Sequence, residues 1–411
     1  MSRSPIFPLE IFEIIVSYVP DDRSTLLSFC STSPYLTHTA QTHLFKFFRT
    51  DRWANSPPSS SEEDEDGHGL STAKFLRAVI HKPILGSHVH DFATPFPSTS
   101  PPYLPSTDEW LQLLVQALPL MINLKSLSLF TLSSPTQDWQ TPILTTLIKC
   151  QFQLLKLRYT SPSPPRTEPN SDQTALTLLR QFLTSQPSLH TLSLHTPPIH
   201  FLPPAALPNL HTLSSTPSNI TSILSTRTVP GTKAIRTLDC VYLDADDQDF
   251  EFMSEVEGRN RSGNEAVKEG LKRVERLCLG VHTIWLRNLQ IYFQNVQVLQ
   301  TSITMTREYH LLPTFFPSLK ILHITRGGTT PNEQGMMSKW LFLTLPVLRT
   351  VIWGSPVPSP SASSGGAGSS KGVAQSVYDY WIPESIPRRV GAREVHEVTG
   401  LLLVDKLPPA V

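Results

Sequence analysis

The chain has 411 residues and a formal net charge of zero, with 17% charged and 39% hydrophobic residues. That balance gives no electrostatic argument for nucleic acid or for an anionic membrane surface as a partner. The length suits two or three domains, or one extended array of repeats.

Four cysteines, Cys30, Cys150, Cys240 and Cys278, lie far apart with no metal-ligand spacing. They read as free thiols of a reducing compartment. The N-terminus lacks the basic, apolar, small-residue layout of a secretory signal. No run approaches the roughly 20 apolar residues that span a bilayer. The expectation is a soluble cytoplasmic or nuclear protein.

In chain order, the first element is a helix entered at Pro8, a residue tolerated in a first helical turn. Its polar positions, Glu10, Glu13 and Ser17, form one narrow stripe. Leu9, Phe12, Val16 and Val19 define one apolar face; Ile11, Ile14, Ile15 and Tyr18 define a second. Asp21 and Asp22 cap a second short helix with Leu26, Leu27, Phe29 and Cys30. Ser33-Pro34 opens a third, carrying Leu36, Ala40, Leu44, Phe47 and Phe48 at helical spacing. Three helices in so short a stretch make a small core and cannot enclose both apolar faces of the first helix. The surplus face needs a partner, either another protein or the rest of this chain.

These residues resemble an F-box: Pro8-Leu9-Glu10-Ile11, then Ile14-Ile15, then Leu26-Leu27-Ser28-Phe29-Cys30, and the late Leu44-Phe45-Lys46-Phe47. Phe7 stands where leucine is usual before the proline, and Tyr35 or Leu36 where a large aromatic is usual. The resemblance implies docking on the Skp adaptor of cullin–RING ubiquitin ligases. It also implies that Pro8, Leu9, Ile11, Ile14, Ile15, Leu26, Leu27 and Cys30 face that adaptor. The alternative is an ordinary helical hairpin packed on its own domain.

Residues 54–69 carry no anchoring apolar side chain and read as an acidic, solvated linker. Ser60 and Ser61 each have an acidic residue three positions on, the preference of acidophilic kinases; an unregulated acidic loop is the alternative. Next comes a recurring pattern, apolar-x-x-apolar-x-apolar, whose last part is a short strand with alternate residues on one face. Its clearest copies are Leu124-Leu127-Leu129, Leu189-Leu192-Leu194 and Leu319-Leu322-Ile324. Looser ones are Val89-Phe92, Phe152-Leu155-Leu157, Leu210-Leu213, Ile235-Leu238-Cys240, Val274-Leu277-Leu279, Val296-Leu299 and Leu348-Val351-Trp353. Pro187, Pro208, Pro317 and Pro346 each stand two residues before a copy's first leucine, where proline ends a helix and sets an extended entry. Helical stretches run from Asp108 to Leu118 behind Thr107, from Pro142 onward, and from Asp172 to Leu183 behind Ser171.

From Leu124 on, copies start 21 to 39 residues apart, from Leu189–Leu210 at the short end to Ile235–Val274 at the long. Inserts at 161–171 and 244–263 explain long gaps. The pattern resembles the irregular leucine-rich repeats found behind many F-boxes, although the asparagine usual after the repeat strand is absent. Stacked units of this kind imply a curved parallel-sheet solenoid; an unrelated α/β domain is the alternative.

The fold expected is therefore α/β: a three-helix F-box-like module at 1–50, an acidic Ser/Pro linker at 51–70, and an irregular leucine-rich-repeat solenoid with a parallel sheet at 71–355. A Ser/Gly/Pro-rich loop at 356–375 and a C-terminal cap of the solenoid at 376–411 follow.

No set of residues reads as an active site, so no enzyme activity, cofactor or metal is expected. His88 and His90, with His81 upstream, share a face if extended, but two ligands without a third are weak evidence. Gly327-Gly328 is a turn signal, and Asp244, Asp246, Asp247 and Asp249 lack the glycine and glutamate of a calcium loop. The function expected is substrate recognition for a cullin–RING ligase of the SCF type. The first module would dock on the Skp-type adaptor and through it on cullin. Strand residues flanking the leucines would hold an unidentified target protein: Ser126, Ser128, Lys156, Arg158, Thr191, Ser193, His195, Asp239, Arg276, Gln300, His323 and Ile352. The alternative is a repeat scaffold that recruits no ligase.

Overall fold

The computed structural model describes residues 9–18, 23–32, 34–49, 63–96, 106–131, 139–161, 169–197, 199, 202–203, 206–227, 232–240, 261–279, 292–301, 312–324, 330–355, 377–382, 388–391, 395 and 399. Pro8, the caps Asp21, Asp22 and Ser33, residues 50–62, the Gly327-Gly328 turn and the 356–375 stretch lie outside them, as do most of both inserts. The chain divides into two compact units, Met1–Trp53 with Ser59–Leu189, and Ala54–Pro58 with His190–Val411.

The first unit begins with α1 (Leu9–Ser17), α2 (Arg23–Thr32) and α3 (Pro34–Lys46). Val16, Leu26 and Ala40, one from each helix, form its buried centre, with Phe29, Cys30, Leu36 and Leu44 packed around them. The helical spacing of Phe47 and Phe48 predicts a longer third helix, but the chain becomes extended there. Strand β1 (Phe47–Arg49) pairs in parallel with β2 (Asp91–Phe96). The ring of Phe48 lies 3.9 Å from that of Phe75 and 5.7 Å from that of Phe92. Burying an aromatic between two others outweighs a further half-turn of helix.

Helix α4 (Glu63–His81) takes up the end of the acidic stretch expected to be linker, so residues 63–70 are helical. The short α5 (Pro83–Gly86) follows, and a Cβ on Gly86 would meet the Leu120 carbonyl oxygen at 2.6 Å. Glycine is required there by close approach. Helix α6 (Thr107–Ala117) is capped by Ser106, whose hydroxyl accepts from the Glu109 amide, one residue earlier than predicted. Strand β3 (Ser126–Thr131), α7 (Gln140–Lys149), β4 (Lys156–Thr160) and α8 (Pro169–Thr184) complete the unit. The four strands are parallel and adjacent in chain order, with Phe48, Phe92, Leu127 and Leu157 in one register row, all buried. That register places Leu154 level with Leu124, so this copy reads Leu154-Leu157-Tyr159 rather than Phe152-Leu155-Leu157.

In the second unit, parallel strands again follow in order: β5 (Thr191–His195), β6 (Thr212–Ser215), β7 (Thr237–Cys240), β8 (Arg276–Leu279), β9 (Val298–Thr301), β10 (Ile321–Ile324) and β11 (Thr350–Ser355). Leu192, Leu213, Leu238, Leu277, Leu299, Leu322 and Val351 share one register row, and each is wholly buried. Helices α9 (Pro217–Ser225), α10 (Arg261–Lys272), α11 (Leu312–Phe315) and α12 (Pro331–Thr344) lie between strands in sequence. Strands β12 (Val377–Trp381) and β13 (Arg388–Gly391) add an antiparallel pair beside β11, covering its otherwise free edge.

A common turn precedes the strands of both units. In most copies the amide of the first apolar residue donates to the carbonyl three residues back, as from Leu124 to Met121 and Leu189 to Gln186 in the first unit and from Leu319 to Phe316 and Leu348 to Leu345 in the second, at 2.9–3.2 Å. Pro187, Pro317 and Pro346 fall at the second position of this turn, where the fixed φ of proline fits. The prolines thus close a turn rather than set an extended entry. Leu207 precedes Pro208 with φ of 56°, and its carbonyl accepts from the half-buried Arg227 guanidinium at 3.0 Å. Asn219 of α9 serves the loop after β5: its side chain accepts from the Ile199 amide at 2.6 Å and donates to the Thr196 carbonyl at 3.1 Å. Both units are α/β with parallel sheets.

Candidate functional site

Helix α1 is nine residues long and packs on α3. One neighbour can cover one face of so short a helix. Val16 fills the centre of the three-helix core, while Ile11, Ile14, Ile15 and Tyr18 are 39%, 50%, 43% and 82% exposed. The second apolar face expected from the sequence is therefore in solvent. Leu27, on α2, is 53% exposed.

The eight residues assigned to this surface do not all lie on it. Pro8 is outside the described residues, and Leu9 opens α1. Ile11, Ile14, Ile15 and Leu27 are exposed. Leu26 is a correction: at 2% exposure it belongs to the core, because helical periodicity turns it inward while its neighbour Leu27 faces out. Cys30 is a second correction. Its thiol packs against the core and approaches the Thr37 carbonyl at 3.9 Å, while the Thr37 hydroxyl donates to the Cys30 carbonyl at 2.8 Å. Burial raises its pKa, so it is a neutral thiol tying α2 to α3.

The strand positions expected to hold a target fall into two groups. Lys156 and Arg276 are exposed, and Ser126, Arg158, Thr191, Ser193, His195 and Asp239 are half-buried. Arg158 lies over the Phe130 ring, 5.6 Å from its centroid, and the Ser214 hydroxyl donates to Asp239 at 2.8 Å. Ser128, Gln300, His323 and Ile352, by contrast, are buried and present no surface. The last three stand in one register row on β9, β10 and β11, flanked by the buried Val298 and Thr350. Both faces of the sheet are enclosed there, as in the interior strands of parallel sheets. Burial pushes the His323 pKa down to about 4, so its imidazole is neutral.

His88 and His90 do not share a strand face. Strand β2 begins at Asp91, and His88 lies in a turn with its ring 5.7 Å from that of His38. Among the described residues no group of three His, Cys, Asp or Glu side chains is placed to hold a metal ion. Nor is any helix there long and apolar enough to cross a membrane.

Helix α12 has no counterpart in the sequence reading. Its signal is present: Thr330 and Glu333 form a reciprocal capping box, with Pro331 in the first turn. It exposes Met336, Trp340 and Leu343 along one stripe. No family model matches the chain, and no curated protein matches it.

Proposed function

We propose that this protein recruits a target to a cullin–RING ubiquitin ligase, docking on a Skp-type adaptor through α1 and α2. The observation that carries the reading is the exposed apolar face of α1, on a three-helix module whose residues resemble an F-box. Burying an exposed isoleucine contributes about 1.5–3 kcal/mol, so Ile11, Ile14, Ile15 and Leu27 together supply enough apolar surface to anchor a partner. The parallel-sheet units present the target, and catalysis belongs to other subunits, acting through raised effective concentration. The chain itself is proposed to have no enzyme activity and to need no cofactor.

The test is capture of the full chain by purified Skp adaptor, comparing wild type with Ile11→Asp plus Leu27→Asp. Both positions are exposed, so circular dichroism should show an unchanged fold. Capture of wild type and its loss in the folded variant is the expected result. A well-folded wild type that is not captured sinks the ligase reading and leaves a repeat scaffold.

A further inference from the structure

A ladder of polar residues runs along the strand entrances of the second unit. The His211 amide donates to the His190 carbonyl, Arg236 to His211, Glu275 to Arg236, Gln297 to Glu275, Lys320 to Gln297 and Arg349 to Lys320, at 2.8–3.0 Å. Successive members therefore stand one strand spacing apart. Their side chains meet in pairs. The imidazoles of His190 and His211 stack at 5.4 Å, Arg236 approaches Glu275 at 3.7 Å, and Lys320 donates to Gln297 at 2.9 Å.

Charge on this rim is one-sided although the whole chain is neutral. Glu275 is the one acid in the ladder, and its contact with Arg236 is long and solvent-facing. Lys233, Arg276 and Arg349 are exposed and have no acidic partner among the described residues. Lys320 leans on a neutral amide. Burial first, then the neighbouring His190, Lys233, Arg236 and Arg276, lower the His211 pKa, which places those cations around one ring.

We infer that this rim is a binding site for an acidic, extended peptide segment of a partner protein, running across the strand entrances from His211 to Arg349. The occupant follows from charge complementarity and length. Five strand spacings of about 4.8 Å give about 24 Å, which an extended peptide covers in about seven residues. Spaced carboxylates or phosphoserines can address Arg236, Arg276 and Arg349 separately and leave a gap at Glu275. A continuous phosphate backbone would set a charge against Glu275, which favours peptide over nucleic acid. The inference concerns the second unit alone and does not depend on adaptor docking.

The experiment is fluorescence anisotropy on the full chain with labelled peptides alternating Ser with Glu, phosphoserine with Gly, or Ser with Lys, and a single-stranded DNA of matched charge. Wild type should bind one or both anionic peptides, which separates the two anion sources, and should release them as salt shortens the Debye length. Arg236→Glu with Arg276→Glu should weaken binding by at least about tenfold, while Lys74→Glu on α4 should leave it unchanged. If charge reversal disturbs folding, Arg276→Gln with Arg349→Gln and the salt dependence of wild type decide. Equal binding of the anionic and Lys peptides, unchanged affinity in the folded variants, or tighter binding of the DNA would each overturn the inference.

Discussion

In α1 the isoleucines at 11, 14 and 15 stand partly in solvent, whereas in β9 and β10 a glutamine and a histidine, Gln300 and His323, are enclosed. Residue type predicts the reverse in both places. The difference lies in the number of neighbours. Helix α1 packs on α3 and has one covered side. Strands β9 and β10 are each paired on both edges, and the residues of both their faces are largely buried. Burial here is a property of position in the assembly of elements, and side-chain polarity adapts to it or leaves a surface for a partner.

The largest expected effect comes from opening the enclosed region. Trp353 on β11 is wholly buried, and its indole N–H donates to the Ser338 hydroxyl of α12 at 3.0 Å. Trp353→Ala should cost about 3–5 kcal/mol, read as a lower midpoint in urea denaturation. A loss below about 1 kcal/mol would mean that the layer between β11 and α12 is not close-packed.

Next comes the histidine in the same sheet. Its folded pKa is about 4 against an ordinary 6.5, so the unfolded chain takes up the proton first. The stability conferred by a neutral His323 is complete above pH 6.5 and is lost as pH falls through the window down to 4. Between pH 7 and pH 4 wild type should lose about 3 kcal/mol more than His323→Gln. Parallel stability curves for the two proteins would show that the imidazole is not held neutral.

The smallest effect is expected where a rule of buried isoleucine would place a large one. Ile14→Ser with Leu27→Ser should leave the melting temperature nearly unchanged, within about 0.5 kcal/mol of wild type. Leu26→Ala, one residue away from Leu27, should cost about 2–5 kcal/mol. If the serine variant melts as early as the Leu26 variant, then the apolar face of α1 is covered by this chain and is unavailable to an adaptor.

Much of the fold is legible in the spacing of its apolar residues. The period-two leucines name the strands, and Leu192, Leu213, Leu238, Leu277, Leu299 and Leu322 fall in register, each standing three residues after the first apolar residue of its copy. The two faces of α1 are equally legible from helical periodicity. Phe47 and Phe48 misled because their spacing also suits a helix, and only the rings of Phe75 and Phe92, distant in sequence, favour the strand. Phe152, Leu154 and Leu155 are all apolar and stand within four residues, so sequence alone does not say which one opens the copy, and register with β3 selects Leu154.

The cationic rim was hidden for a related reason. Lys233, Arg236, Arg276, Lys320 and Arg349 are scattered over more than a hundred positions, and only the pairing of the strands sets them along one rim. Local sequence determined where strands begin, which side of each is apolar and which helix carries a surplus face, because turn chemistry and residue spacing act within a few residues. Tertiary structure alone decided which polar residues of the strands became interior and that distant cations came to stand side by side. Those outcomes depend on which strands become neighbours, and parallel pairing brings together residues that the chain itself keeps far apart.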